Sequence, residues 1–282
     1  MSYSLPPDRA GASGGGAVKF QNSQGLEAGV EERVVVLPFN RVDETCAVLD
    51  AHADRLACVI VEPVLGSGGV ILAQREFLHA LREYTARNGI LLIFDEIMSF
   101  RLGYGGAQQV YKIAPDLTTF GKIISGGMPL AAFGGREEVM ALLDPGDGPP
   151  AIPQSGTFNG CAAAAGVACM EHLTHESLSA LDTLGTELKS RLEEVFDRTG
   201  TQAQVTGFGS LMNIHFTTTP VQDHRAAIRA DREKLERLFR ALLVRGYFMA
   251  PRGMICLSTA MGPAEIEGFA GAAEEALKSE EV

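Results

Sequence analysis

Three polar residues follow directly on short apolar runs and could act together: Glu62 after ACVIV, Asp95 after ILLIF and Lys122 after LTTFG. In open α/β sheets, ligands bind at the carboxyl ends of the strands. An amine and a carboxylate brought to one crevice by neighbouring strand ends suit an aromatic aldehyde. The lysine condenses with the aldehyde and holds it ready for exchange with a substrate amine. The carboxylate faces the ring nitrogen and keeps it protonated, so the ring accepts electrons from a carbon that is losing a proton. The freed lysine is then placed to move that proton. Spacing alone also fits a plainer role, in which the lysine faces solvent and the aspartate caps or turns the chain.

The elements that must position these residues alternate along the chain. Residues 57–64 (ACVIVEPV) and 90–94 (ILLIF) read as buried strands, and Leu117–Phe120 as a short strand that delivers Gly121 and Lys122. Between the first two, Arg75–Asn88 reads as a helix, with Phe77, Leu78, Leu81 and Tyr84 at helical spacing and Gly89 at its end. Residues 130–133 form a further strand, followed by a helix through Leu143 and a Pro/Gly-rich loop at 144–153. Thr157-Phe158-Asn159-Gly160 opens one long helix to about Thr199, and its small-sided start at 161–168 permits close packing. Beyond it the expectation is a strand at 204–216, an amphipathic helix at 229–245, short strands at 246–250 and 255–258, and a last helix at 264–277. Uniformly apolar strands separated by helices imply an α/β fold, with a mostly parallel sheet covered by helices on both faces and a smaller C-terminal α+β domain. The domain expectation is a tail or arm over 1–32, a large domain over 33–199 including the long connecting helix, and a small domain over 200–282.

The totals exclude several classes of function. With 282 residues, 46% hydrophobic and 21% charged, the chain can bury a substantial core. Its net charge of −11 gives no general attraction to nucleic acid or an anionic membrane, and no basic run is present. No apolar stretch is long enough to span a bilayer, and the start lacks the basic and apolar regions of a secretory signal, so a cytoplasmic location is expected. Cys46, Cys58, Cys161, Cys169 and Cys256 are scattered and odd in number, and read as reduced thiols. His172 and His175 could share a helix face but lack a further ligand, so no metal site is expected. No phosphate-binding P-loop run occurs, and Gly103-Tyr104-Gly105-Gly106 lacks dinucleotide-binding spacing.

Three longer motifs carry a family resemblance. Leu92-Ile93-Phe94-Asp95-Glu96-Ile97-Met98, Thr119-Phe120-Gly121-Lys122-Ile123-Ile124-Ser125-Gly126-Gly127-Met128-Pro129 and Ser155-Gly156-Thr157-Phe158-Asn159-Gly160 resemble class III aminotransferases of the pyridoxal 5'-phosphate (PLP) fold type I, in that family's order and at its usual separations. Within the class the chain is most similar to glutamate-1-semialdehyde aminomutases and β-amino-acid (β-phenylalanine-type) aminotransferases. Ala132-Phe133-Gly134-Gly135-Arg136, Gly209-Ser210-Leu211-Met212-Asn213 and Ala250-Pro251-Arg252-Gly253-Met254 support that placement. The resemblance implies a PLP-dependent enzyme that moves an amino group between an amino acid and a keto acid, working as a homodimer. It implies that Lys122 is the Schiff-base lysine, Asp95 the partner of the pyridine nitrogen, and Ile97 the branched side chain packed on one ring face. Thr157 matches the threonine that reaches the cofactor phosphate across the dimer interface, and Arg252 could meet a substrate carboxylate through bidentate hydrogen bonds. Glu62 is expected to support the site structurally.

The chain departs from the family in two places. Members normally carry a long further portion before the region that begins here, including the first strands of the large domain, a loop taking most phosphate contacts and an aromatic stacked on the ring. Nothing in residues 1–32 matches these. The expected consequences are weaker PLP binding and exposed apolar strand faces. The family's Asn-Pro-Leu after Gly160 is replaced by Cys161-Ala162-Ala163. Two other functions therefore stand beside the aminotransferase: a truncated non-catalytic chain or partner subunit whose site needs a second chain, and a PLP lyase or racemase on the same scaffold.

Overall fold

A computed structural model describes residues 3–4, 20–21, 25, 29–153, 159–279 and 282. Its central feature is a four-stranded sheet in the order Cys58–Val61, Leu91–Asp95, Leu117–Phe120, Ala132–Gly135. The first three strands run parallel and the fourth antiparallel, so the sheet is mostly parallel as expected. The helix Arg75–Asn88 has the expected bounds and ends on Gly89 in the left-handed conformation (φ 66°). It buries Phe77, Leu78, Leu81 and Tyr84, in one core with Leu92 and Phe94.

Alternate side chains of a strand point to opposite faces, and the two faces of this sheet differ. Val59, Leu92, Phe94 and Thr118 lie buried on the face covered by that helix. On the other face Cys58 is exposed, Ile60 is 60% exposed and Phe133 51% exposed, while Leu91, Ile93, Asp95, Leu117 and Thr119 are half-buried. Helices therefore cover one face, and the other keeps an open apolar strip. That exposure agrees with the exposed apolar strand faces expected from the sequence. The expectation of cover on both faces does not hold for the described residues.

The second core lies toward the C-terminus. A three-stranded antiparallel sheet, ordered Met254–Cys256, Leu211–His215, Gln204–Phe208, packs with the helices His175–Thr199, Arg232–Val244 and Pro263–Lys278.

Several boundaries differ from the sequence expectation. The long helix is two helices, Gly160–His172 and His175–Thr199, broken at Leu173 and Thr174. Thr174 is extended and its hydroxyl accepts from Ser177 N (3.2 Å), so a threonine read as helical is a cap. The strand expected over 204–216 is a hairpin that turns at Gly209 (φ 54°) and Ser210. The helix expected at 229–245 is confined to Arg232–Val244, and Asp231 caps it by accepting from Lys234 N (2.9 Å). No strand forms over 246–250: Gly246 turns the chain (φ 85°), and Ala250 N donates to Met254 O (2.9 Å) to close a loop.

Candidate active site

The parallel pairing brings the three strand ends together. Val61 pairs with Phe94, so Glu62, one residue on, stands level with Asp95. Asp95 pairs with Thr119, three residues before Lys122. The electrostatics of Glu62 register both partners. Burial pushes its carboxyl above the usual range, the charge of Asp95 pushes the same way, and Gly66 N–H (2.9 Å) and Lys122 pull it down. Register and these charge effects set Asp95, Lys122 and Glu62 near one another at the same end of the sheet.

Local geometry fixes each member. Asp95 Oδ1 accepts from Ile97 N (3.1 Å), which turns the chain at the strand end. Ile97 is half-buried, and a Cβ built on Gly121 would lie 3.5 Å from its Cγ2, so its side chain lies against the residue that precedes Lys122. Lys122 itself is exposed and has φ 48°, a left-handed conformation that costs a non-glycine residue roughly 1–2 kcal/mol. Surrounding packing holds it there. It opens a 3₁₀ turn, Lys122–Ser125, in which Ser125 Oγ donates to Lys122 O (2.6 Å). The helix Gly160–His172 presses on this turn: Gly166 abuts the carbonyl of Ile124, Gly126 abuts that of Ala165, and Cys169 Sγ donates to Ile123 O (3.2 Å). The small residues expected to permit close packing do so here, against the lysine-bearing turn.

Glu96, next to Asp95, is fully buried and grips the loop that follows. Its Oε2 accepts from Ser99 Oγ (2.7 Å) and Ala107 N (2.8 Å), and its Oε1 from Gln108 N (2.7 Å). Burial raises its pKa, and these three donors oppose the rise. At the opposite end of the strands, Asp116 accepts from Leu92 N (2.7 Å) and pairs with Arg82 (3.0 Å) and Arg136 (3.1 Å), tying the Asp95 and Lys122 strands together.

The remaining expected residues divide. Thr157 lies outside the described residues. Arg252 is exposed on a turn, with Nη2 3.8 Å from Met254 Sδ. Met254 packs on the small cluster of Val64, Val70, Leu102 and Leu211, as does Met98 near Asp95 in sequence. Among the described residues no hydrogen bond or ion pair links it to Asp95, Lys122 or Glu62. Sequence reasoning left two neighbours unassigned, the Glu96 clamp and Thr119. The Asp-Glu pairing was visible for the first. No local signal marked the second, because only strand register sets it beside Asp95.

These side chains fit a planar ring bearing an aldehyde. An amine and a carboxylate stand near one another at adjacent strand ends, a branched side chain is available for a ring face, and the Thr119 hydroxyl is buried with no hydrogen-bond partner among the described residues. Comparison with known proteins points the same way. The family model for class-III aminotransferases matches residues 28–259. Curated relatives include the glutamate-1-semialdehyde 2,1-aminomutases of Methanobrevibacter smithii, 36% identical over 91% of this chain and 61% of that protein, and of Desulforudis audaxviator, 38% identical over 94% and 63%. Similar solved structures include an omega-transaminase from Sphaerobacter thermophilus (TM-score 0.91, 42% identity, 95% of this chain and 62% of that one). Another is a β-phenylalanine aminotransferase from Variovorax paradoxus (TM-score 0.80, 39% identity, 86% of this chain and 56% of that one). The chain thus spans about three fifths of the length of the curated relatives it matches.

Proposed function

We infer, because this chain belongs to the class-III aminotransferase family, that it carries the lysine- and aspartate-bearing part of a PLP-dependent enzyme that moves amino groups between amino and keto acids. The observation that supports this is the placement of Asp95 and Lys122 at the ends of adjacent parallel strands, both near enough to Glu62 for their charges to act on it. PLP supplies an aldehyde that condenses with amines and a ring that accepts electrons from the substrate carbon. Lys122 would provide the amine for that condensation and would move a proton to and from the substrate carbon. Asp95 holds the ring nitrogen, Ile97 packs on a ring face, and Arg252 receives a substrate carboxylate. Thr157 is assigned to the phosphate, reached from a second copy of the chain. The exposed apolar side chains Val167 and Met170 on the helix Gly160–His172, which presses on the Lys122 turn, support a homodimer. The amino substrate is assigned to the β-amino acid, ω-amine or amino-semialdehyde type, on the strength of the relatives' names. No helix among the described residues is long and apolar enough to cross a membrane, in keeping with a cytoplasmic assignment.

The open apolar strip on the sheet favours a second reading, in which the site works only once further polypeptide covers that face. One experiment addresses the main reading. Purified protein given PLP should develop a visible band, and borohydride should trap an adduct that peptide mass spectrometry places on Lys122. Lys122→Ala should show neither. Absence of both from the wild type removes the aminotransferase reading, and amino transfer by the isolated chain removes the second.

A further inference from the structure

Thr119 carries an unmet hydrogen-bonding group beside Asp95. Its Oγ1 is buried and has no hydrogen-bond partner among the described residues, a state that costs about 1–3 kcal/mol. Its backbone is fully engaged in the sheet, pairing with Asp95 on one side and Phe133 on the other, and its carbonyl accepts from Glu96 N (3.1 Å). Strand register therefore sets the face on which the side chain stands. Directly paired residues on neighbouring strands share a sheet face and lie about 4.8 Å apart, so Thr119 is the side-chain neighbour of Asp95.

Asp95 has the complementary shortage. A carboxylate offers about four acceptor sites, and the one hydrogen bond found for this one among the described residues is that from Ile97 N to Oδ1. While the crevice is open, water can fill the remaining sites. When an aromatic ring covers the carboxylate, that water is displaced, and a buried charge needs donors from the protein. Two carboxyls, Glu62 and Glu96, already lie close enough to Asp95 for its charge to raise their pKa values, so the local field adds to the need. The unused donor one strand away meets it.

We propose that Thr119 is a positioning residue for Asp95: its hydroxyl donates to the carboxylate oxygen not held by Ile97 when that carboxylate engages the ring nitrogen of PLP. The assignment rests on the reading of this crevice as a PLP site. It explains why a hydroxyl is kept where valine would fit the strand equally well and leave no orphaned group.

The test is a PLP titration of the full chain, followed by the lysine-dependent band, for wild type, Thr119→Val, Thr119→Ser, Asp95→Asn and the Asp95→Asn/Thr119→Val double variant. A hydrogen bond to a charged group corresponds to roughly 10–100-fold in affinity, and Thr119→Val should weaken PLP by that factor. Thr119→Ser should stay within about 3-fold of wild type, since it keeps the donor. In the Asp95→Asn background the valine substitution should change affinity by less than about 3-fold, because the charged partner is gone. Urea unfolding without PLP gives a readout that does not depend on the cofactor. Thr119→Val should be as stable as wild type or more so, because it removes an orphaned hydroxyl. A clear loss of cofactor-free stability assigns the hydroxyl a structural role and overturns the proposal. So does an equal loss of affinity in both backgrounds, or failure of serine to rescue. If the wild type shows no lysine-dependent band, the PLP reading falls and this inference with it. If the band forms and Thr119→Val binds as wild type does, this inference alone falls.

Discussion

Replacing Glu96 by alanine should unfold the loop that holds Asp95 in place, and the structure sets the size of the effect. The side chain is 0% exposed and accepts three hydrogen bonds, from Ser99 Oγ, Ala107 N and Gln108 N. A hydrogen bond to a charged group is worth about 1.5–3 kcal/mol. Three of them do not add in full, and part is offset by the cost of burying the carboxylate, visible in its raised pKa. Removing the acceptor while the three donors remain should therefore destabilise the chain by about 3–5 kcal/mol, against a typical total of about 5–15. Urea denaturation of wild type and Glu96→Ala at neutral pH measures it, and PLP affinity should fall in parallel because Asp95 and Ile97 lead into the loosened turn. Glu96→Gln sharpens the argument. It keeps one acceptor but sets an amide N–H against a donor, which costs about 1–3 kcal/mol. The pH dependence has a definite sign. Burial places the folded pKa of Glu96 above its usual value of 4.5, so the folded chain holds that proton more tightly than the unfolded chain. The stability this contributes is present below pH 4.5 and lost as pH rises through the folded value. The advantage of wild type over Glu96→Gln should shrink across that window. A Glu96→Ala protein within about 1 kcal/mol of wild type would refute the reasoning, since a buried three-donor clamp cannot be that dispensable.

Gly126→Ala should cost at least about 2 kcal/mol, because alanine is strained at φ 58° and its methyl would strike the carbonyl of Ala165. The borohydride-trapped adduct on Lys122 should fall with it, and a normal adduct yield would show that the helix Gly160–His172 does not set the lysine's turn. His215 is buried among Thr206 Oγ1 (3.0 Å), Asn213 Nδ2 (3.2 Å) and Gly69 O (3.0 Å), and burial lowers its pKa below 6.5. Its contribution to stability is thus complete above pH 6.5 and lost as pH falls through the lowered folded value. Stability curves against pH should be flatter for His215→Gln over that range, and parallel curves would discount the histidine. Ile60→Lys, on the open sheet face, should change stability by no more than about 0.5 kcal/mol. It should reduce self-association in sedimentation velocity, whereas unchanged association would place the sticky surface elsewhere.

Much of the fold was legible because local rules and tertiary packing agreed. The helix Arg75–Asn88 was marked by its apolar spacing and, at its end, by Gly89, and the strand Leu117–Phe120 by a short apolar run before Gly121. Errors arose where one residue outweighed a periodic pattern. Thr174 broke a helix that composition would have continued, and Gly209 folded one expected strand into two. In each case a single capping or left-handed residue redirected a segment whose flanks kept the original pattern.

The order of residues by itself marked the candidate chemistry and the family. An apolar run can end in only one place, so the order of residues alone sets the acid at 95 and the amine at 122 at strand ends, and three motifs tie them to one family. Tertiary structure alone decided which groups stand beside them. Strand register is a long-range property: it set Thr119 against Asp95 and brought Glu62 level with both, and neither follows from spacing along the chain.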